Sequence, residues 1–219
     1  NSTKFIDLKN NFTLPGFIDN HTHLMWGGAT LRNIELKTIN DKSEFINTFK
    51  NYVNQYLENQ WIEGGSWDHE NWGGVLPSKS WIDSVTLNNP VLVTRIDGHL
   101  ALSNSIALKK AGINRFTPNP PGGIIDKDPI TGEPTGILKE NAIDLVRRVI
   151  PKKTKEIRDE IFNTSMKHAA SFGVTQVHDM CSWDDLLTYK RNKNKLTLRI
   201  KAYTWYENWN NLIDLIKSE

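Results

Sequence analysis

The 219-residue sequence contains a single cysteine, Cys181, so a disulfide framework within the chain is excluded. It has no run of about 18 apolar residues, the length that a transmembrane helix needs. Neither sign of charge dominates, since 27 scattered basic residues face 25 acidic ones, and this excludes the usual electrostatic footprint of a nucleic-acid-binding protein. We therefore expect a soluble globular protein. The low cysteine content slightly favours the cytoplasm, but the chain begins at Asn1 and not at methionine, which is compatible with a removed upstream signal.

Strand and helix patterns alternate along much of the chain, and a content of 38% hydrophobic residues is enough for a sizeable core. Apolar runs predict strands over residues 17–23, 91–96, 174–178 and 198–205. Helical spacing of apolar residues predicts helices over residues 43–57, 103–111, 154–172, 184–190 and 209–216, with Ser43 as the cap of the first and Gly173 at the end of the third. The Pro- and Gly-rich stretch 118–136 predicts short hairpins and turns. Because strands alternate with helices, we predict an α/β fold whose parallel sheet is covered on both faces, as in doubly wound or barrel folds.

Two histidines, His21 and His23, close the first predicted strand. Side chains two residues apart on a strand lie on the same face, so both imidazoles can bind one metal ion, with Asp19 on that face behind them. The alternative interpretation is a pair of polar residues at a strand end, because His-x-His also occurs by chance. The strand context favours the metal site.

The segment Pro15-Gly16-Phe17-Ile18-Asp19-Asn20-His21-Thr22-His23 resembles the opening motif of the amidohydrolases. The specific likeness is to the amidohydrolase 3 group, which includes YtcJ-like proteins and N-substituted formamide deformylases. Further segments resemble this family in the family's own order, and they are residues 61–68, 90–99, 104–108, 111–113, 121–124, 132–140 and 173–180. Such ordered agreement over nearly the whole chain is far more specific than a single motif.

The resemblance implies a metal-dependent hydrolase with a (β/α)8 TIM barrel and a centre of one or two divalent ions, zinc being preferred, at the carboxyl ends of the strands. In the family, the first strand supplies His-x-His, the fourth a lysine that is often carboxylated, the fifth and sixth a histidine each, and the eighth an aspartate. A complete barrel takes about 250 residues, and this chain has room for about three βα units. We therefore expect the later ligands to lie beyond Glu219 and this N-terminal portion to be inactive alone.

This interpretation divides the chain into four segments. Residues 1–14 are the remnant of a small β-domain, 15–40 the first barrel strand with its following segment, 41–140 an inserted α/β subdomain that caps the site, and 141–219 the second and third βα units. The expected partner is the remaining half of the barrel. Without it, open strand edges and apolar faces should make the chain associate, and a homo-oligomer is compatible with this expectation.

Several polar or aromatic residues at the ends of predicted elements are candidates for substrate contact. In the subdomain these are Trp67, Asp97, His99 and Glu140, because clustered aromatic and polar groups can orient a substrate and exclude water. His178 is a further candidate, since it ends the second core strand. The alternatives are a core position for Trp67, a simple turn at Asp97, and a hydrogen-bonded supporting role for His178.

The predicted reaction is hydrolysis of a non-peptide C–N bond in a small-molecule amide, formamide or cyclic amide by metal-activated water. This substrate class follows from the resemblance alone. A non-catalytic binding or scaffold module built on the same fold is the alternative. Apart from the metal ligands, no catalytic residue is assigned within this chain.

Overall fold

A computed structural model describes residues 3–54 and 60–217. The strands are β1 (Phe17–Thr22), β2 (Ile34–Glu35), β3 (Ile62–Trp67), β4 (Val91–Arg95), β5 (Leu100–Ser103), β6 (Gly123–Lys127), β7 (Pro134–Glu140), β8 (Val174–Met180) and β9 (Arg199–Tyr203). The α-helices are α1 (Leu24–Thr30), α2 (Lys42–Val53), α3 (Lys79–Ile82), α4 (Ser105–Lys110), α5 (Ile143–Arg147), α6 (Lys155–Ser171), α7 (Trp183–Arg191) and α8 (Trp209–Lys217). None of the helices in these two ranges combines the length and the apolar character needed to cross a membrane.

The chain forms two compact units. The first, here called the discontinuous unit, joins the residues up to Leu31 to those from Lys153 onward, and the second, the inserted unit, is Arg32–Lys152. The inserted unit extends past both ends of the expected 41–140 segment. One reason is that β2 pairs with β3 at one end. At the other end Ile143 and Val146 of α5 are buried in one of the unit's cores.

Three parallel strands in the order β1-β8-β9 form the sheet of the discontinuous unit. A helix follows each strand, so the α/β fold class is confirmed and the described part holds three βα units. Helices α6 and α7 bury Phe162, Met166, Leu186 and Tyr189 in one core with Val177 of β8. This packing covers one face of the sheet, which leaves the other face for the polar side chains described below.

Two glycines bring β1 and α1 against the rest of this unit. Gly173, with φ of 72°, ends α6 as predicted, and its carbonyl accepts a 2.9 Å hydrogen bond from the amide of Phe17. A Cβ on Gly28 would lie 1.9 Å from Oγ of Ser165, so only glycine lets α1 approach α6 this closely. The Ser165 hydroxyl then donates to the carbonyl of Leu24 at 3.0 Å, which ties the start of α1 to α6.

The inserted unit is built on a six-stranded sheet in the order β2-β3-β4-β5-β7-β6. Strands β2, β3 and β4 are parallel, and the remaining neighbours are antiparallel. Apolar residues of α2 and α3 cover one part of it, and those of α4 and α5 form a second core. The predicted hairpin in the Pro- and Gly-rich stretch is confirmed as β6 and β7.

Several elements differ from the sequence expectations. Strand β3 was not predicted because Gly64, Gly65 and Ser66 have low strand propensity. In the structure all three residues have positive φ, which is unusual within a strand. Helix α2 is capped by Asp41, whose carboxylate accepts a hydrogen bond from the amide of Glu44, and not by Ser43 as predicted. The end of the predicted helix, from residue 55 to residue 57, lies outside the described residues. Residues 5–9, expected as the last piece of a small β-domain, form no strand, since an extended segment needs a neighbouring strand to pair with.

Candidate metal centre

His21 and His23 lie side by side at the carboxyl end of β1. Their ring centroids are 5.5 Å apart with an interplanar angle of 80°, and both side chains are exposed. Two imidazoles that bind one tetrahedral zinc ion at about 2.0–2.1 Å have centroids roughly 5 Å apart, so the observed separation fits a shared ion. Asp19 lies on the same strand, and its carboxylate accepts the backbone amide of His21 at 3.1 Å.

The ring of His23 is held in one tautomer. Its Nδ1 lies 3.0 Å from the carbonyl oxygen of Met180, and because a carbonyl only accepts, Nδ1 carries the proton in this hydrogen bond. The neutral ring therefore presents the unprotonated Nε2, the form that binds a metal. A backbone carbonyl in this position is a common second partner of metal-binding histidines.

His178 lies on the face of its sheet that is opposite the buried Asp179. Thr22 pairs with Asp179 and donates to its carboxylate at 3.1 Å. Because neighbouring residues of a strand alternate between faces, His178 lies on the other face of β8. Nε2 of His178 lies 3.1 Å from the side-chain nitrogen of Gln176, and its ring packs at 6.0 Å against Tyr203. The hydrogen bond fits the supporting role.

A cavity of about 400 Å³ adjoins the histidine pair. Its lining includes Asp19, His21, His23, Trp26 and His168. In the described parts of the chain, no group of three or more His, Cys, Asp or Glu side chains is placed to hold a metal ion. His21 and His23 are two candidate ligands, here called the half-site, and two do not complete a centre, because a structural or catalytic zinc ion takes at least three protein ligands.

Asp179 is a buried carboxylate beside the histidine pair that the sequence did not single out. Its side chain is only 1% exposed, although carboxylates are seldom buried without partners. The available signal was strand parity, since Asp179 follows Val177 on the covered face of β8. An acidic residue in that position requires hydrogen-bond donors, and the structure supplies Thr22, Leu24 and Tyr189.

Trp67, expected to contact substrate, is instead a core residue of the inserted unit. It is 0% exposed, and its indole N–H donates to the carbonyl of Val93 at 3.0 Å. Both the apolar surface and the polar atom are satisfied inside the unit, so Trp67 presents nothing to a ligand. The structure therefore fits the alternative interpretation of Trp67, a core position.

Asp97, His99 and Glu140 come together at one edge of the inserted unit. Asp97 lies in the turn after β4, where it binds the guanidinium of Arg95 and accepts the amide of His99 at 3.0 Å. Nδ1 of His99 lies 3.0 Å from the carboxylate of Glu140, and the amide of Glu140 donates to the carbonyl of His99. Asp68 pairs with the other side of Arg95, and this hydrogen bond lowers the pKa of Asp68.

Two features distinguish the His99–Glu140 pair from an ordinary surface contact. Glu140 has φ of 50°, a left-handed conformation that is unfavourable for a glutamate. A cavity of about 630 Å³ opens beside the pair, with Gly122, Gly123 and Lys139 in its lining. Because Nδ1 of His99 binds Glu140, Nε2 is the ring nitrogen of His99 that is left for a ligand in this cavity.

The titration of His99 should depend on Glu140. The hydrogen bond and the charge of Glu140 raise the pKa of His99 above the ordinary value of 6.5. A raised folded-state pKa stabilises the protein below the unfolded value, and this contribution is lost as the pH rises through the folded value. In Glu140→Gln, we expect the pKa of His99 to fall back toward 6.5, measured by NMR titration of the ring protons. An unchanged His99 titration would contradict the pairing.

Cys181 has no reactive environment. It is 3% exposed, and burial raises the pKa of its thiol to about 12, so the thiolate is scarce at neutral pH.

The comparison with protein families settles which family this is. The amidohydrolase family model, Amidohydro_3, matches residues 4–214, which is nearly the whole chain. The chain belongs to the amidohydrolase family. The resemblance found in the motifs is confirmed by this match, and it includes both His21 and His23.

Curated relatives of this amidohydrolase chain come from plants and bacteria. Protein LONG AFTER FAR-RED 3 of Arabidopsis thaliana is 37% identical over 97% of this chain and 39% of the relative. The putative amidohydrolase YtcJ of Bacillus subtilis (strain 168) is 32% identical over 92% of this chain and 36% of the relative. N-substituted formamide deformylase of Arthrobacter pascens is 28% identical over 80% of this chain and 33% of the relative. The chain thus spans between about a third and two fifths of the length of these relatives.

Solved structures show the same fold. The chain superimposes on an uncharacterized metal-dependent hydrolase from Pyrococcus horikoshii OT3 with a TM-score of 0.68 and 24% identity. The match covers 92% of this chain and 38% of that one. A protein of the same description from Pyrococcus furiosus gives the same TM-score and identity. At this identity the likeness concerns the fold.

Proposed function

We propose that this amidohydrolase chain is part of a metal-dependent hydrolase that cleaves non-peptide C–N bonds in small amides, formamides or cyclic amides. The observation that carries the proposal is the pair His21 and His23, with rings 5.5 Å apart at the end of a parallel strand. The printed names of two relatives, a putative amidohydrolase and an N-substituted formamide deformylase, support this substrate class.

The proposed cofactor is a divalent metal, preferably zinc, in a centre of one or two ions. His21 and His23 would hold it, and Met180 keeps Nε2 of His23 free for the metal. When bound, such an ion lowers the pKa of water toward about 7 and polarises a carbonyl group. The half-site in the described residues requires further ligands from a longer polypeptide, as in a closed (β/α)8 barrel.

Four residues are proposed to act in substrate binding, two of them directly. His99 can donate or accept a hydrogen bond through Nε2, because Nδ1 is engaged by Glu140. Glu140 and Asp97 hold this ring in place, so they act on the substrate mainly through His99. His178 is the second direct candidate, because it lies near the carboxyl end of β8. The imidazole of either histidine can form a hydrogen bond to a polar amide.

The test uses the full-length polypeptide that contains this chain. We expect it to bind zinc near stoichiometry and to hydrolyse members of a panel of amides, formamides and cyclic amides. Metal content is measured by elemental analysis, and turnover by release of the amine. A metal-free, inactive full-length protein would favour the alternative, a non-catalytic module. That alternative is kept because one relative is named an exoenzymes regulatory protein, AepA of Pectobacterium carotovorum subsp. carotovorum.

The isolated 219-residue chain should behave as an incomplete enzyme. We expect weak zinc binding by calorimetry and no turnover, because only two ligands are in place. Strands β1 and β9 are the outer strands of their sheet, and Phe17 and Ile18 are more than half exposed, so association is expected in sedimentation. Tight zinc binding by a monomer would contradict the half-site.

A further inference from the structure

Asp179 lies buried at the carboxyl end of β8, and three hydrogen bonds converge on its carboxylate. Oδ1 accepts from Oγ1 of Thr22 at 3.1 Å and from the amide of Leu24 at 2.6 Å. Oδ2 accepts from the hydroxyl of Tyr189 at 2.7 Å. The amide of Leu24 is fixed by the backbone, and the two hydroxyls complete the hydrogen bonds of the carboxylate.

Two of these donors flank His23. Thr22 is the last residue of β1, and Leu24 is the first residue of α1. As the N-cap of α1, His23 makes no side-chain capping hydrogen bond, and the amide of Leu24 would otherwise lack a partner. Asp179 therefore caps α1 from another strand, and it binds the side chain of the residue before His23 and the backbone amide of the residue after it.

The next residue of β8 holds the ring itself. Met180 accepts the proton on Nδ1 of His23 through its carbonyl oxygen. Strand β8 thus holds His23 through three groups, namely the side chain of Thr22, the backbone amide of Leu24 and Nδ1 of His23 itself. Together these contacts set the position, ring orientation and tautomer of a metal ligand without touching the metal.

The side of the carboxylate away from β1 is closed by Tyr189. Burial and the neighbouring Asp179 raise the pKa of Tyr189, so its phenol stays protonated and donates. This bond goes to Oδ2, whereas the two bonds that flank His23 go to Oδ1. Tyr189 therefore tests the hydrogen bonding of the carboxylate apart from its contacts beside His23.

We propose that Asp179 is a positioning residue of the metal centre, which fixes His23 through Thr22 and Leu24. The inference rests on the proposed function in one respect, that His21 and His23 bind the metal. The role differs from that of a ligand, because the carboxylate is 1% exposed and fully engaged by protein donors. Loss of a group that orients a metal ligand typically weakens metal binding about 10- to 100-fold.

The experiment compares four variants of the full-length polypeptide. Asp179→Leu removes all three bonds, Asp179→Asn keeps one acceptor oxygen for Thr22 and Leu24, Thr22→Val removes one bond beside His23, and Tyr189→Phe removes only the distant bond. Zinc affinity is measured by chelator competition. The His23 tautomer is measured in the metal-free protein by ¹⁵N chemical shifts of labelled imidazoles, and folding by circular dichroism.

We expect zinc affinity to fall about 10- to 100-fold in Asp179→Leu, with partial recovery in Asp179→Asn, a smaller fall in Thr22→Val and no change in Tyr189→Phe. The His23 tautomer should become mixed in the same order. Equal losses in Tyr189→Phe and Thr22→Val, or wild-type affinity in a folded Asp179→Leu, would overturn the inference. If Asp179→Leu does not fold, an unaltered tautomer and affinity in Thr22→Val overturn it.

Failure of the proposed function looks different. If the wild-type protein binds no zinc, the proposed function fails, while the metal-free tautomer measurement still decides whether Asp179 positions His23. If the wild-type protein binds zinc and all four variants bind it equally, the metal centre stands and the positioning role of Asp179 fails.

Discussion

Replacing the two proposed metal ligands, in His21→Ala/His23→Ala, should abolish zinc binding and lower kcat/KM by at least about 10³-fold in the full-length polypeptide. Both rings are exposed and adjacent at the end of β1, so their loss removes the first two ligands with little disturbance of the core. The measurements are metal content by elemental analysis and steady-state turnover of the best amide from the panel.

A matched control is His168→Ala. His168 lines the same cavity, but it lies on α6 and packs against the ring of Phe172 at 4.9 Å. Its replacement should leave metal content unchanged and activity within about threefold, since surface substitutions outside such networks have small effects. Full activity in the double variant would remove the basis of the proposed function.

The second large effect concerns stability. Trp67→Ala should lower the free energy of unfolding by about 3–5 kcal/mol, because it removes a fully buried aromatic side chain and leaves a cavity. It also leaves the carbonyl of Val93 without its indole donor. Urea denaturation followed by far-UV circular dichroism measures the change.

Phe116→Ala is the comparison variant in the same unit. Phe116 is 83% exposed, so its truncation should change stability by no more than about 0.5 kcal/mol. If Trp67→Ala instead kept wild-type stability and raised KM for the amide substrate, the core assignment would be wrong and the original substrate-contact hypothesis would return.

Local patterns predicted the elements that frame the metal centre. Apolar runs gave β1 and β8, and the helical spacing of apolar residues gave α6 with Gly173 at its end. Each of these depends on residues close together in sequence. The apolar run before His21 also placed the two histidines at a strand end, and their spacing of two residues predicted that the rings lie side by side.

The unpredicted features depend on contacts between distant segments. Thr22 and Asp179 are separated by 157 positions, and no local pattern pairs them. Helix α1 contains two glycines in seven residues, which is poor helical sequence, and it forms because Gly28 permits close packing on α6. Trp67 was assigned to a pocket because the sequence alone does not distinguish an aromatic residue that lines a pocket from one that is buried in a core.

The parallel pairing of β1 with β8 has a consequence for biosynthesis. Strand β1 leaves the ribosome early, but its partner strand is made only after the whole inserted unit, and at about 5–20 residues per second the delay is roughly 10 to 30 s. During that interval the Arg32–Lys152 segment can complete its own sheet, whereas His23 has neither Asp179 nor Met180 to hold it. Metal loading should therefore be a late event in folding, which follows synthesis of the second βα unit.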